Sequence, residues 1–177
     1  MKPWELVSKK LVYDGYRKIE RRTYRCDDDR EIDIDVKLEG NTVCSLPITE
    51  DGHAVLAAQF RPGPGSILRE LPGGGMNVGE EPLQAMRREL LEETGYEGDL
   101  VLVGSTWDCA YSTCRRYHFL ATHCRKVTEP HTDEDEKIDV ILMPVDEFRN
   151  HLATGDLTDT TTGLLALAAL EKTSILL

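Results

Sequence analysis

A chain of 177 residues is long enough for one domain with a sizeable core, and its net charge of −11 leaves no electrostatic footprint for nucleic acid. No apolar run reaches transmembrane length and the N-terminus carries no signal-peptide h-region, so no membrane partner is expected. Five cysteines (Cys26, Cys44, Cys109, Cys114 and Cys124) without C-x2-C spacing read as reduced thiols of a cytoplasmic protein, neither a disulfide scaffold nor a zinc site.

Residues 1–40 read as a strand region. Period-two alternation covers 11–13, 16–24 and 32–36, with turns at Asp14-Gly15 and at 26–30. A sheet this small buries little alone and needs a partner surface. Residues 41–177 read as the main domain. Two strands, 42–47 and 53–60, flank the turn Glu50-Asp51-Gly52, and Arg61-Pro62-Gly63-Pro64-Gly65 makes a rigid bend. A glycine-rich turn at Gly73-Gly74-Gly75 then feeds a helix with Pro82 in its first turn and Gly95 at its left-handed exit. Leu83, Met86 and Leu90 form the stripe expected to face the core. Strands follow at 100–105, 117–123 and 138–143, the last after the acidic loop 131–137. Asp146 is expected to cap a short helix to Leu152, and Thr158 or Asp159 a final helix over 162–172. Strands around one central helix, with another helix at the C-terminus, give an α/β sandwich.

The chemistry concentrates on the central helix. Glu89, Glu92 and Glu93 stand at i, i+3 and i+4, so their carboxylates project from one face. Like charges so placed repel unless something positive sits among them, and hard divalent cations such as Mg²⁺ take oxygen ligands of this kind. A solvated acidic face would explain the glutamates but not the glycine-rich loop before them or Gly95 after them.

Gly74, five residues, Glu80, seven residues, then Arg88-Glu89-Leu90-Leu91-Glu92-Glu93-Thr94-Gly95-Tyr96 resembles the Nudix box, G-x5-E-x7-R-E-U-x-E-E-x-G-U with U apolar. Gln59-Phe60-Arg61-Pro62, Glu70-Leu71-Pro72-Gly73-Gly74 and Gly155-Asp156-Leu157-Thr158-Asp159 resemble the ADP-ribose pyrophosphatase branch of that family. The resemblance implies a Nudix-type α/β/α sandwich of mixed sheets with a small N-terminal antiparallel sheet, whose first strands cross to a partner subunit in a homodimer. It implies Mg²⁺, with Mn²⁺ as a substitute, held by Glu89, Glu92, Glu93 and the backbone carbonyl at Gly73, with Glu136 as a further ligand. It matches Glu134 to the catalytic base, with Glu92 the next candidate, and sets Arg61, Tyr16 and Glu70 at the substrate.

The expected reaction is Mg²⁺-dependent hydrolysis of the pyrophosphate bond in a nucleoside diphosphate linked to another group, ADP-ribose or a nucleotide sugar first. The alternatives are a GDP-mannose-type or dinucleotide (NADH, diadenosine polyphosphate) pyrophosphatase and, in another class, a non-catalytic nucleotide-sugar sensor. Several residues keep two readings. Arg61 offers a planar fork to phosphate or a structural ion pair. Tyr16 is an adenine clamp or an ordinary strand tyrosine. Glu80 is a structural residue at the helix entry or a distant metal ligand. Arg88 is expected to point off the carboxylate face and to orient the box glutamates or loop carbonyls. The loop Asp108-Cys109-Ala110-Tyr111-Ser112 lacks the proline that the ADP-ribose branch carries there.

Overall fold

The computed structural model describes residues 2–131 and 137–174, so Glu134 and Glu136 lie outside the described residues. The chain divides into two compact units, Met1–Asn41 with Thr106–Arg116, and Thr42–Ser105 with Tyr117–Leu177.

The first unit holds a three-stranded antiparallel sheet of β1 (Glu5–Asp14), β2 (Lys18–Arg25) and β3 (Glu31–Leu38), in that order. Alternation on β3 sends Ile32, Ile34 and Val36 to one face and Asp33 and Asp35 to the other. The register sets Asp35 opposite Arg21 and Asp33 opposite Thr23, and both pairs hydrogen-bond across the strands. β1 is an edge strand, exposed along all ten residues. Tyr16, expected in a strand, occupies the turn between β1 and β2. The segment Thr106–Arg116 belongs to this unit because its backbone pairs with β3: the Lys37 N–H donates to the Tyr111 carbonyl at 2.8 Å and the Thr113 N–H to the Lys37 carbonyl at 3.0 Å. Lys37 also bonds Asp108 at 3.0 Å, so ion pairing and backbone bonds hold the loop that lacks the proline.

The second unit is built on a seven-stranded sheet. Its main path runs β10 (Ile138–Pro144), β5 (His53–Arg61), β4 (Thr42–Thr49), β9 (Arg115–Lys126) and β8 (Tyr96–Trp107). Off that path, β6 (Ser66–Glu70) pairs with β5 and β7 (Gly73–Gly75) with β4. Neighbouring residues of the central strands feed opposite cores. Leu46, Leu56 and Leu120 face a cluster closed by Phe148 and Leu152, near α2 (Val145–His151), and by Ala166 and Leu167 of α3 (Thr160–Ser174). Val43, Val55 and Phe119 face the other cluster, closed by Ala85, Met86 and Leu90 of α1 (Pro82–Thr94). Burying an aliphatic or aromatic side chain this fully is worth roughly 1.5–3 kcal/mol, so the second cluster fixes α1 against one face of the sheet and the first fixes α2 and α3 against the other.

Three local expectations are corrected. Leu83 is exposed and Ala85 takes its place in the core, because the buried stripe of α1 is set by the sheet it meets. Asp146 lies in the first turn of α2, where a negative charge suits the helix dipole, and extended Pro144 is the capping residue. α3 begins at Thr160, before the expected start at Thr162.

Candidate active site

The site is assembled at the entry and along one face of α1. Glu81 is extended, with ψ 143°, and Pro82 starts the helix without an N–H to leave unsatisfied. At the other end Gly95 has φ 73° and its N–H closes on the Leu91 carbonyl at 2.8 Å. A Cβ on Gly95 would stand 2.1 Å from the Thr128 carbonyl oxygen, so both the backbone angle and the close approach demand glycine.

Gly73 is required for a different reason, and Gly74 lies under a carboxylate. A Cβ on Gly73 would meet the Val43 carbonyl oxygen at 2.3 Å, and one on Gly74 would meet the Glu89 carboxylate at 2.5 Å. The missing side chain of Gly73 lets β7 pair closely with β4. Glu93, 7% exposed, accepts the Gly73 N–H at 2.8 Å. Glu93 thus meets the backbone at Gly73 and Glu89 lies against Gly74, while Glu92 stays half-exposed on the same helix.

Arg88 lies among the carboxylates, which corrects the expectation that it points away from them. Its Nη1 donates to Glu89 at 2.8 Å and to Glu92 at 3.0 Å, its Nε and Nη2 to Glu80 at 3.0 Å, and Nη2 also to the Gly75 carbonyl at 2.9 Å. It orients box glutamates and a loop carbonyl together. These bonds raise its own pKa, Glu80 contributing most, and Arg88 in turn holds the Glu80 carboxyl below the usual carboxylate range. Glu80 also accepts the Asn77 N–H at 2.8 Å, so it braces the loop before the helix and does not cap the helix.

Three carboxylates share this one guanidinium. Among the described residues no group of three or more His, Cys, Asp or Glu side chains stands ready as a metal cage. The donor chemistry still fits a hard dication: oxygen ligands only, with carboxylates gathered against a backbone that no Cβ obstructs.

The remaining predicted residues fall in other places. Arg61, at the end of β5, donates its Nε to Glu70 and is 38% exposed. Glu70, expected at the substrate, is fully buried and also bonds Thr158. Tyr16 lies in the first unit, 98% exposed, with the Arg17 guanidinium 5.6 Å from its ring centroid. The sequence reading missed Thr158 and Asn77 as partners, although Thr158 stands inside the segment 155–159 already singled out. It also missed His131, whose N–H donates to the Glu92 carbonyl at 2.8 Å; no side-chain pattern signals a backbone bond of that kind.

The NUDIX domain family profile matches residues 39–161. Over 127 residues the chain is 28% identical to the methanol dehydrogenase activator of Bacillus methanolicus, an alignment covering 68% of this chain and 66% of that protein. It is 32% identical over 111 residues to the ADP-sugar pyrophosphatase of Mus musculus, covering 55% of this chain and 48% of that one. It is 31% identical over 108 residues to the ADP-ribose pyrophosphatase of Bacillus subtilis (strain 168), covering 59% and 58%. The chain thus spans 48–66% of the length of these relatives. The crystal structure of an ADP compounds hydrolase matches with a TM-score of 0.86 at 18% identity, over 98% of this chain and 97% of that one, and shares the fold. With the profile spanning most of the chain and the carboxylate-bearing helix at its centre, this protein belongs to the NUDIX domain family.

Proposed function

We propose that this protein hydrolyses the pyrophosphate bond of a nucleoside diphosphate linked to another group, ADP-ribose or a related nucleotide sugar. The observation that carries the reading is the cluster on α1, where Glu89 and Glu93 come against the glycine backbone of β7 and Glu80, Glu89 and Glu92 gather on Arg88. Two of the relatives bear the names of ADP-sugar and ADP-ribose pyrophosphatases, which supports the substrate class.

Glu89, Glu92, Glu93 and the Gly73 carbonyl would hold Mg²⁺, with Mn²⁺ as a substitute, and the ion supplies neutralisation of the diphosphate oxygens and a lowered pKa for water. Arg88 keeps Glu89 and Glu92 oriented. Arg61 offers the substrate its guanidinium fork. Carboxylates committed to a cation are poor proton acceptors, because the cation depresses their pKa. A separate carboxylate then takes the proton from the attacking water, and Glu134 fills that role, with Glu136 as an additional metal ligand. Support comes from the anchors of their segment: His131 is bonded to the Glu92 carbonyl, and Ile138 pairs with Gln59, two residues from Arg61. Glu92 is the next candidate for the base.

A homodimer through the first unit belongs to the same reading. Leu6, Val7, Leu11, Val12 and Tyr13 are exposed along edge strand β1, an apolar unpaired edge of the kind that seeks another chain. Sedimentation at micromolar concentration is expected to give twice the monomer mass, and the exposed Tyr16 then serves the partner's substrate. A cytoplasmic location accords with five free cysteines. No helix among the described residues is long and apolar enough to cross a membrane.

The test is a panel of nucleoside-diphosphate-linked compounds, incubated with Mg²⁺ and resolved by product. Release of AMP from ADP-ribose or an ADP-sugar is expected. Binding of these compounds without any turnover would make the protein a sensor.

A further inference from the structure

We propose that Glu70 is a positioning residue that fixes the direction of the Arg61 guanidinium toward substrate and ties it to the segment entering α3. The inference rests on the pyrophosphatase reading above. Glu70 ends β6 with no exposure at all, and a carboxylate buried so completely must be paired. One oxygen accepts the Nε–H of Arg61; the other accepts the Thr158 N–H at 3.2 Å and the Thr158 hydroxyl at 2.5 Å. Both oxygens are therefore engaged within the protein. The guanidinium is held by its Nε, so its two Nη groups lie outside this pair on a side chain that is 38% exposed. That is the half of the fork suited to a planar or tetrahedral anion.

The neighbouring backbone is fixed on both sides of Glu70. The Arg69 carbonyl accepts His151 Nε2 at 2.8 Å, the Arg69 N–H donates to the Asp156 carbonyl at 3.2 Å, and the Pro72 carbonyl accepts the Ser45 N–H at 3.0 Å. Gly73 follows, bonded to Glu93. A buried ion pair is a weak source of stability, since apolar side chains of similar volume often do as well or better. What a carboxylate at position 70 supplies, and an apolar residue would not, is a fixed direction for Arg61 on the same rigid segment that presents Gly73 to Glu93.

A double-mutant cycle over Glu70→Gln and Arg61→Ala tests this, using the best substrate of the panel at saturating Mg²⁺ and melting temperatures for all four proteins. Glu70→Gln is expected to raise KM about tenfold with kcat within about threefold, and to add less than about twofold once Arg61 is alanine, since residues that act as a unit are non-additive. KM effects that multiply, accompanied only by a lower melting temperature, would make Glu70 structural and overturn the inference. Should Glu70→Gln not fold, Thr158→Val removes the hydroxyl bond and keeps the ion pair. It is expected to raise KM about threefold in wild type and not in Arg61→Ala. A folded Thr158→Val with wild-type KM also overturns it. An inactive wild type sinks the pyrophosphatase reading and this inference with it, whereas an active wild type with a multiplicative cycle sinks this inference alone.

Discussion

Charge is balanced differently in the N-terminal sheet and around α1. On the sheet the acids have their own bases: Arg21 grips Asp35 through two bonds of 2.8 and 2.9 Å, Arg25 meets Glu31, and Arg22 meets Glu20. Around α1, Arg88 serves Glu80, Glu89 and Glu92 together. The first arrangement completes itself and can form a surface or an interface. The second gathers several carboxylates on one base, an arrangement that suits a dication. Equal residue types therefore carry unequal consequences, which substitution can measure.

The largest effect is expected at Glu93. Glu93→Gln should lower kcat at least about a hundredfold while circular dichroism and melting stay unchanged or improve, because a ligand charge is lost and repulsion relieved. Turnover near wild type at saturating Mg²⁺ would place α1 in the same self-balanced class as the sheet. Next comes Glu134→Gln, expected to lower kcat about a hundredfold with little change in KM, as removal of a general base does. Glu136→Gln should instead raise the Mg²⁺ requirement. If both keep kcat and metal dependence near wild type, the base lies elsewhere and Glu92 is examined in its place.

Arg88→Met should lower the melting temperature by about 5 °C without Mg²⁺, since three carboxylates lose charge-assisted bonds together. Added Mg²⁺ should restore more of that loss than it adds to wild type. The pH dependence has a definite sign. Arg88 depresses the folded pKa of Glu80, so the pair's stability is present above the unfolded pKa and fades as pH falls through the lower folded value. The difference between wild type and Arg88→Met should accordingly shrink in acid. The smallest effect belongs to the sheet. Arg21→Ala, which removes an exposed pair, should move the melting temperature by no more than about 2 °C and leave kcat untouched. A loss as large as that of Arg88→Met would erase the contrast between the two regions.

Much of the site was legible from spacing because its logic is local. Carboxylates at i, i+3 and i+4 share a helix face whatever surrounds them, Gly95 must take the left-handed angle that ends α1, and Ile32, Ile34 and Val36 must part from Asp33 and Asp35. The family profile and the fold bear out the α/β sandwich read from that pattern. Other features depend on which surface arrives across the gap, and no window of sequence holds that information. Periodicity proposed Leu83 for the core, but the sheet met α1 along Ala85, Met86 and Leu90 and left Leu83 in water. Arg88 turned into the carboxylates because Glu80 and the Gly75 carbonyl, eight and thirteen residues earlier, were folded back beside it. Glu70 was drawn inside by Thr158, eighty-eight residues on. A buried charge takes its role from its partners, and only the tertiary structure chooses them.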